Sequence, residues 1–252
     1  MSQILSGRAG VVAGLLCAVL VTGACDAAPA PNPPASPSGA PVPAGPPVAA
    51  ESPEQVVGNA AVATTRAGSA RTVLLAETAV GTVRATGPVR FAPFAADLTA
   101  TVGTREVALR AVDGTSWARF GTRWQQLSPG LLPVGAVSGA LRSATGLSGV
   151  SEVGPEQVGD VATTRYRGTV DLAAVPAPEP TAKAELGELA ALASPTPEID
   201  VWVGPDGRIV QLRTGSVATP GTRAADAPTP GAITVTLSDL GVPVEVTPPP
   251  TG

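Results

Sequence analysis

A run of apolar and small residues, Gly10–Cys25, opens the chain behind a single cation, Arg8. A membrane-spanning helix needs about 20 apolar residues, and this shorter run with its charge order reads as a secretory signal occupying residues 1–24. Prolines then crowd Asp26–Ala50 too closely for a helix or a central strand. That stretch is expected to be an extended stalk of polyproline type, or, alternatively, a proline-rich recognition motif. Regular patterning starts at residue 51 and continues to 248, a length that fits one domain. Ser52 and Gln55 are spaced as a capping box with Pro53 at the first helical position. Val56, Val57, Ala60, Ala61 and Thr64 follow on one helical face, and the helix is expected to end near Ala67-Gly68.

From Arg71 the rhythm changes to period two, with turn residues every eight to twelve positions, roughly the spacing of an antiparallel meander. The pattern predicts strands over Thr72–Ala79, Thr82–Phe91, Ala95–Val102, Glu106–Val112, Thr115–Phe120 and Thr122–Leu127. Asp113-Gly114 supplies a hairpin turn. Leu131–Gly146 reads as a weak helix and Glu156–Asp171 as one strand with Tyr166 and Val170 on its apolar face. A loop holding Pro176, Pro178 and Pro180 leads into a short helix over Thr181–Ser194. Glu198–Val203, the turn Gly204-Pro205-Asp206-Gly207 and Arg208–Thr214 form a hairpin. After a loop at Ser216–Pro230, Ile233, Val235 and Leu237 alternate with Thr234, Thr236 and Ser238 in a last strand, and Leu240–Val246 is expected to continue off the sheet edge.

Composition removes several chemistries. The sequence contains no histidine and two cysteines, Cys17 in the leader and Cys25 at its end. Histidine-dependent catalysis, histidine or thiolate metal sites and a disulfide framework are thereby excluded, and neither a metal nor a cofactor is expected. The net charge is −4, and Lys183 is the only lysine among 16 Lys and Arg, scattered singly rather than in a basic stripe, so nucleic acid is not an expected partner. Few aromatics and no Gly-x-Ser-x-Gly or Ser-x-x-Lys arrangement argue against a hydrolase. The chain is read as a non-enzyme.

Two resemblances add to this. Thr22-Gly23-Ala24-Cys25 resembles the lipobox of bacterial lipoproteins, which implies acylation of Cys25 and anchoring on the extracytoplasmic face of the cell membrane. Two acyl chains, at about 0.8 kcal/mol per buried methylene, suffice for stable anchoring. The alternative is an ordinary secretory signal cut after an A-x-A-like site with Cys25 incidental. The order of elements, with Ile199–Val210, Leu237–Val244 and the Trp117–Trp124 hairpin, resembles the actinobacterial LppX/LprG-type lipoproteins, whose fold is similar to that of LolA. The resemblance implies an α+β domain, a strongly curved antiparallel half-barrel sheet closed by a few helices. It also implies an apolar hollow that carries a lipid or a lipid-linked glycan.

The candidate ligand-contacting set follows from that picture. Val107, Leu109, Val170, Val210, Leu212, Ile233, Val235 and Leu237 are expected on the concave face, as ligand contacts or as plain core. Trp117 and Trp124 are candidates for a pocket mouth, or for ordinary sheet packing. Tyr166 is placed to donate to a ligand head group, or to be a buried tyrosine satisfied by backbone. Abundant Ala and Val either enlarge a cavity or mark a tightly packed core. The expected function is a membrane-anchored lipoprotein that binds an apolar ligand. The alternatives are a protein-interaction or envelope-stress sensor receiving a partner strand, and a structural envelope lipoprotein without ligand.

Overall fold

The computed structural model describes residues 51–78, 81–128, 134–215 and 232–250. The leader, Cys25, the proline-rich stretch and the loop at Ser216–Pro230 lie outside the described residues.

The first helix, α1 (Pro53–Arg66), starts on the expected capping box: Gln55 N–H donates to the Ser52 hydroxyl and Ser52 N–H to the Gln55 side chain. Six strands follow as a meander, β1 (Ser69–Thr78), β2 (Gly81–Phe91), β3 (Phe94–Val102), β4 (Arg105–Val112), β5 (Thr115–Phe120) and β6 (Arg123–Gln126). Helix α2 (Ala136–Ser143) ends in a short 3-10 turn, Ala144–Gly146. Strands β7 (Ser148–Val158) and β8 (Val161–Thr169) come next, then α3 (Pro180–Leu192), β9 (Glu198–Val203), β10 (Ile209–Gly215) and β11 (Ile233–Ser238).

All eleven strands belong to one antiparallel sheet ordered β6-β5-β4-β3-β2-β1-β11-β10-β9-β8-β7. The last strand therefore pairs with the first, Leu237 opposite Thr72 and Val235 opposite Leu74. Alternation sets this register, because a slip of one residue would turn every inward side chain outward. The result is the curved half-barrel, a single sheet with β6 and β7 at its edges. Gly87 shows how tightly β2 approaches its neighbour. At φ 154° its backbone lies so close to β3 that a Cβ there would fall 2.1 Å from the Asp97 carbonyl oxygen. Only glycine permits that approach.

The helices cover the inward face. Val57, Ala60 and Ala61 of α1, Val137 and Leu141 of α2 and Leu186 and Leu189 of α3 share one core with Ala85, Leu98, Leu109, Ile199, Val201 and Val235 of the sheet. Helix α1 packs across β7, β9 and β10, and α2 packs on α3 and β10. A Cβ on Gly139 would lie 2.5 Å from the Glu185 carbonyl oxygen, so the backbones of α2 and α3 approach closely.

Two expectations change. The single strand at Glu156–Asp171 is a hairpin, β7–β8, turning at Gly159-Asp160; β7 is mostly exposed and carries two bulges, so it shows no alternation. The segment after β11 does not run off the edge. Gly241 N–H donates to the Ser69 carbonyl and the Ser69 hydroxyl to Val242 O, after which the tail crosses the outer face of the sheet. There Val244 and Val246 pack on Ala95, Val112 and Trp117, and Arg110 donates to the Thr247 carbonyl at 3.2 Å. The two edge strands of the sheet are short or irregular. Strand β6 has 4 residues, and β7 is interrupted by its bulges and by Pro155. Both features blunt an edge against pairing.

Candidate functional site

The segment between β8 and α3 is held by backbone before any side chain acts. Val170 N–H donates to the Pro197 carbonyl and Leu172 N–H to the Pro195 carbonyl. Asp171 then closes a turn by accepting the Ala173 and Ala174 amides. Pro176, Pro178 and Pro180 keep the following residues extended until Pro180 begins α3, where its missing N–H is no loss. Leu172 and Val175 thus lie beside Leu186 and Ala190 of α3.

Together these residues wall a groove of about 540 Å³. Leu172, Val175 and Leu186 form its inner wall and are themselves part of the core, while Ala177, Ala190 and Pro195 extend it outward. Lys183 stands on its lining. Gly187 also borders it, and a Cβ there would meet nothing within 4 Å. The size falls within the roughly 300–1,000 Å³ usual for small-molecule sites. Its surface offers van der Waals contact and one cation, which suits an acyl chain better than a polar metabolite.

The sequence-derived candidates separate into three groups. Leu109, Tyr166, Val170, Leu212, Ile233, Val235 and Leu237 are buried in the central core, and Val107 packs half-buried against it. They floor the half-barrel beneath the helices. Val210 is not with them: the register shift between Ile209 and Gln211 turns Ile209 and Leu212 inward, and leaves Val210 near the Gly204 turn. Trp117 and Trp124 do not ring a mouth on the concave face. Both project from the outer face, Trp117 against Val246 in the tail cluster and Trp124 beneath Arg110 and Arg119, with guanidinium carbons 5.0 and 5.7 Å from its ring centre. Leu172, Val175, Leu186 and Lys183 were not among the candidates. Their only sequence signal was the three-proline loop followed by an amphipathic helix.

Electrostatics on the two faces differ. Outside, Asp200 accepts paired hydrogen bonds from Arg165 (3.0 and 2.8 Å) and Arg167 (2.8 and 3.2 Å), and Arg165 stacks over Trp202. Burial alone would raise the Asp200 carboxyl, but the two guanidinium groups outweigh it and hold the carboxyl below its ordinary value. Inside, Glu185 accepts from the Ser138 hydroxyl at 2.8 Å and Glu188 from the Gly135 amide at 2.9 Å, at the start of α2. Burial raises both carboxyls. Among the described residues there is no group of three or more Asp, Glu, His or Cys able to hold a metal, and no helix long and apolar enough to cross a membrane.

Known structures share this architecture. LprF from Mycobacterium bovis superposes with a TM-score of 0.53 at 18% identity, over 79% of this chain and 97% of its own. The fold is that of the LppX/LprG-type lipoproteins. Mycobacterium tuberculosis lipoprotein LppX gives 0.54 at 19% identity, over 77% of this chain and 98% of its own. No family model and no curated protein matches the sequence. LppX/LprF-like architecture thus extends to a sequence with which these two proteins share fewer than one residue in five.

Proposed function

We propose that this protein is a secreted lipoprotein, anchored through acylated Cys25 to the extracytoplasmic face of the membrane, that binds the apolar part of a lipid or lipid-linked glycan. The observation that carries the reading is the groove of about 540 Å³ between the Leu172–Ala177 segment and α3. In this reading the ligand lies on Leu172, Val175, Leu186 and Ala190. The deeper residues Leu109, Val170, Leu212, Ile233, Val235 and Leu237 support that wall. Binding draws on apolar burial, at about 0.8 kcal/mol per methylene, and no bond is made or broken. The short edge at β6 and the bulged, proline-bearing edge at β7 speak against a partner added as an extra strand.

Native mass spectrometry of the full chain carrying Cys25→Ser, followed by organic extraction, tests this. A discrete lipid near one per protein is expected, and Gly187→Leu is expected to displace it by filling the groove. That substitution meets open space on a helix and favours helix formation, so loss of lipid would not reflect loss of fold. An apo mass that takes up no added lipid would contradict the reading.

A further inference from the structure

A second groove, of about 370 Å³, opens between α1 and α2 where the β2–β3 turn meets them. Its apolar lining is Val62, Phe91, Leu141 and Pro176, and Arg66 and Arg142 stand on it. Val62 is 41% exposed, although a surface helix ordinarily turns valine to the core. Each arginine lies in the last turn of its helix, where the helix dipole favours a cation. The dipole does not satisfy their donors. No ion pair among the described residues engages Arg66, and Nε of Arg142 is buried without a hydrogen-bond partner. The one carboxylate near Arg142, that of Glu185, stands 3.8 Å away and already accepts the Ser138 hydroxyl. Burial also raises the Glu185 carboxyl and so weakens it as a counter-charge. Two under-neutralised guanidinium groups beside an apolar strip match a ligand with a negative head and an apolar body. Consecutive residues of one loop, Val175, Pro176 and Ala177, wall both grooves, the proline this one and its neighbours the other.

We infer that the α1–α2 groove is an anion-selective site for the phosphate or carboxylate head of an amphiphile, held by Arg66 and Arg142 with Val62, Phe91, Leu141 and Pro176 against its apolar part. The inference rests on the lipid-binding reading and adds the charge of the head group to it.

Calorimetric titration of the full Cys25→Ser chain below micellar concentration decides it, with dodecyl phosphate, dodecyltrimethylammonium, dodecyl maltoside and inorganic phosphate as probes. Dodecyl phosphate is expected to bind at least about tenfold more tightly than the cationic and neutral probes. Arg66→Gln with Arg142→Gln is expected to erase that preference, and Arg66→Lys with Arg142→Lys to retain most of it. A thermal melt accompanies each variant; if the double glutamine variant unfolds, Arg66→Gln alone, at an exposed position, is read instead. Equal binding of all three dodecyl probes, or a preference untouched by the arginine changes, overturns the inference. Inorganic phosphate binding as tightly as dodecyl phosphate assigns the site to a free anion and overturns the amphiphile. If Gly187→Leu abolishes binding of every dodecyl probe while the arginine variants change nothing, the lipid-binding reading stands and this inference falls. If no amphiphile binds at all, both fall.

Discussion

The Thr64 hydroxyl accepts the Ile209 amide N–H at 2.8 Å while donating to the Ala60 carbonyl at 2.7 Å. A single buried side chain on α1 thereby satisfies a backbone donor on β10 at the position where the β9–β10 register shifts. Ile209 stays opposite Val203 beside the bulge, and its amide finds its acceptor on the helix. This ties α1 to the half of the sheet that it covers.

Replacing Thr64 with Val keeps the shape and removes the acceptor. An unsatisfied buried donor costs about 1–3 kcal/mol. For a domain of this size each kcal/mol corresponds to roughly 2–4 °C. Thermal unfolding of Thr64→Val is expected to show a loss of that order, whereas Thr65→Val, at an exposed position on the same turn, is expected to change little.

Gly87 gives a sharper contrast. Gly87→Ala places a methyl against the Asp97 carbonyl, and backbone strain and overpacking each add about 1–3 kcal/mol. Gly68→Ala shares a positive φ of 82° but meets nothing within 4 Å, so it carries the conformational part alone. Denaturant midpoints are expected to fall much further for Gly87→Ala than for Gly68→Ala. Equal losses would show that the close approach between β2 and β3 is not what demands glycine.

Acid should act oppositely on the two faces. The Asp200 carboxyl is lowered in the folded state, so its contribution is present above its ordinary value of 3.8 and is lost as the pH falls through the lowered one. The Glu185 and Glu188 carboxyls are raised by burial, so their contribution is full below their ordinary value of 4.5 and is lost as the pH rises through the raised values. Melting temperatures measured from pH 7 downward are therefore expected to rise first and then fall. Glu185→Gln with Glu188→Gln should remove the rise, and Asp200→Asn should lower the melting temperature at pH 7 and flatten the final fall. A wild-type profile that only falls would refute the assignment for the two glutamates.

Local chemistry alone located much of the fold. Ser52 and Gln55 start α1, Pro-Asp-Gly turns β9 into β10, and strict alternation in Ile233–Leu237 sets the inward face of β11. These signals depend on neighbours within a turn or a strand, which is why they are readable in order along the chain. The family resemblance, carried by Ile199–Val210 and Leu237–Val244, added the half-barrel that local periodicity does not specify.

Tertiary structure decided the rest. Strand β7 has no alternation to read, because most of it faces solvent and two bulges reset its phase. Trp117 looks like a pocket residue in one dimension, and only the returning tail with Val246 reveals that its cover lies on the outer face. Val210 changes side through a bulge that leaves no mark in its composition. Both grooves are built from segments far apart in sequence: Leu172 with Ala190 in one, Arg66 with Arg142 in the other. Periodicity reports which way a side chain leaves its own element. What it then meets depends on how distant elements pack, and that is where this protein's candidate binding chemistry lies.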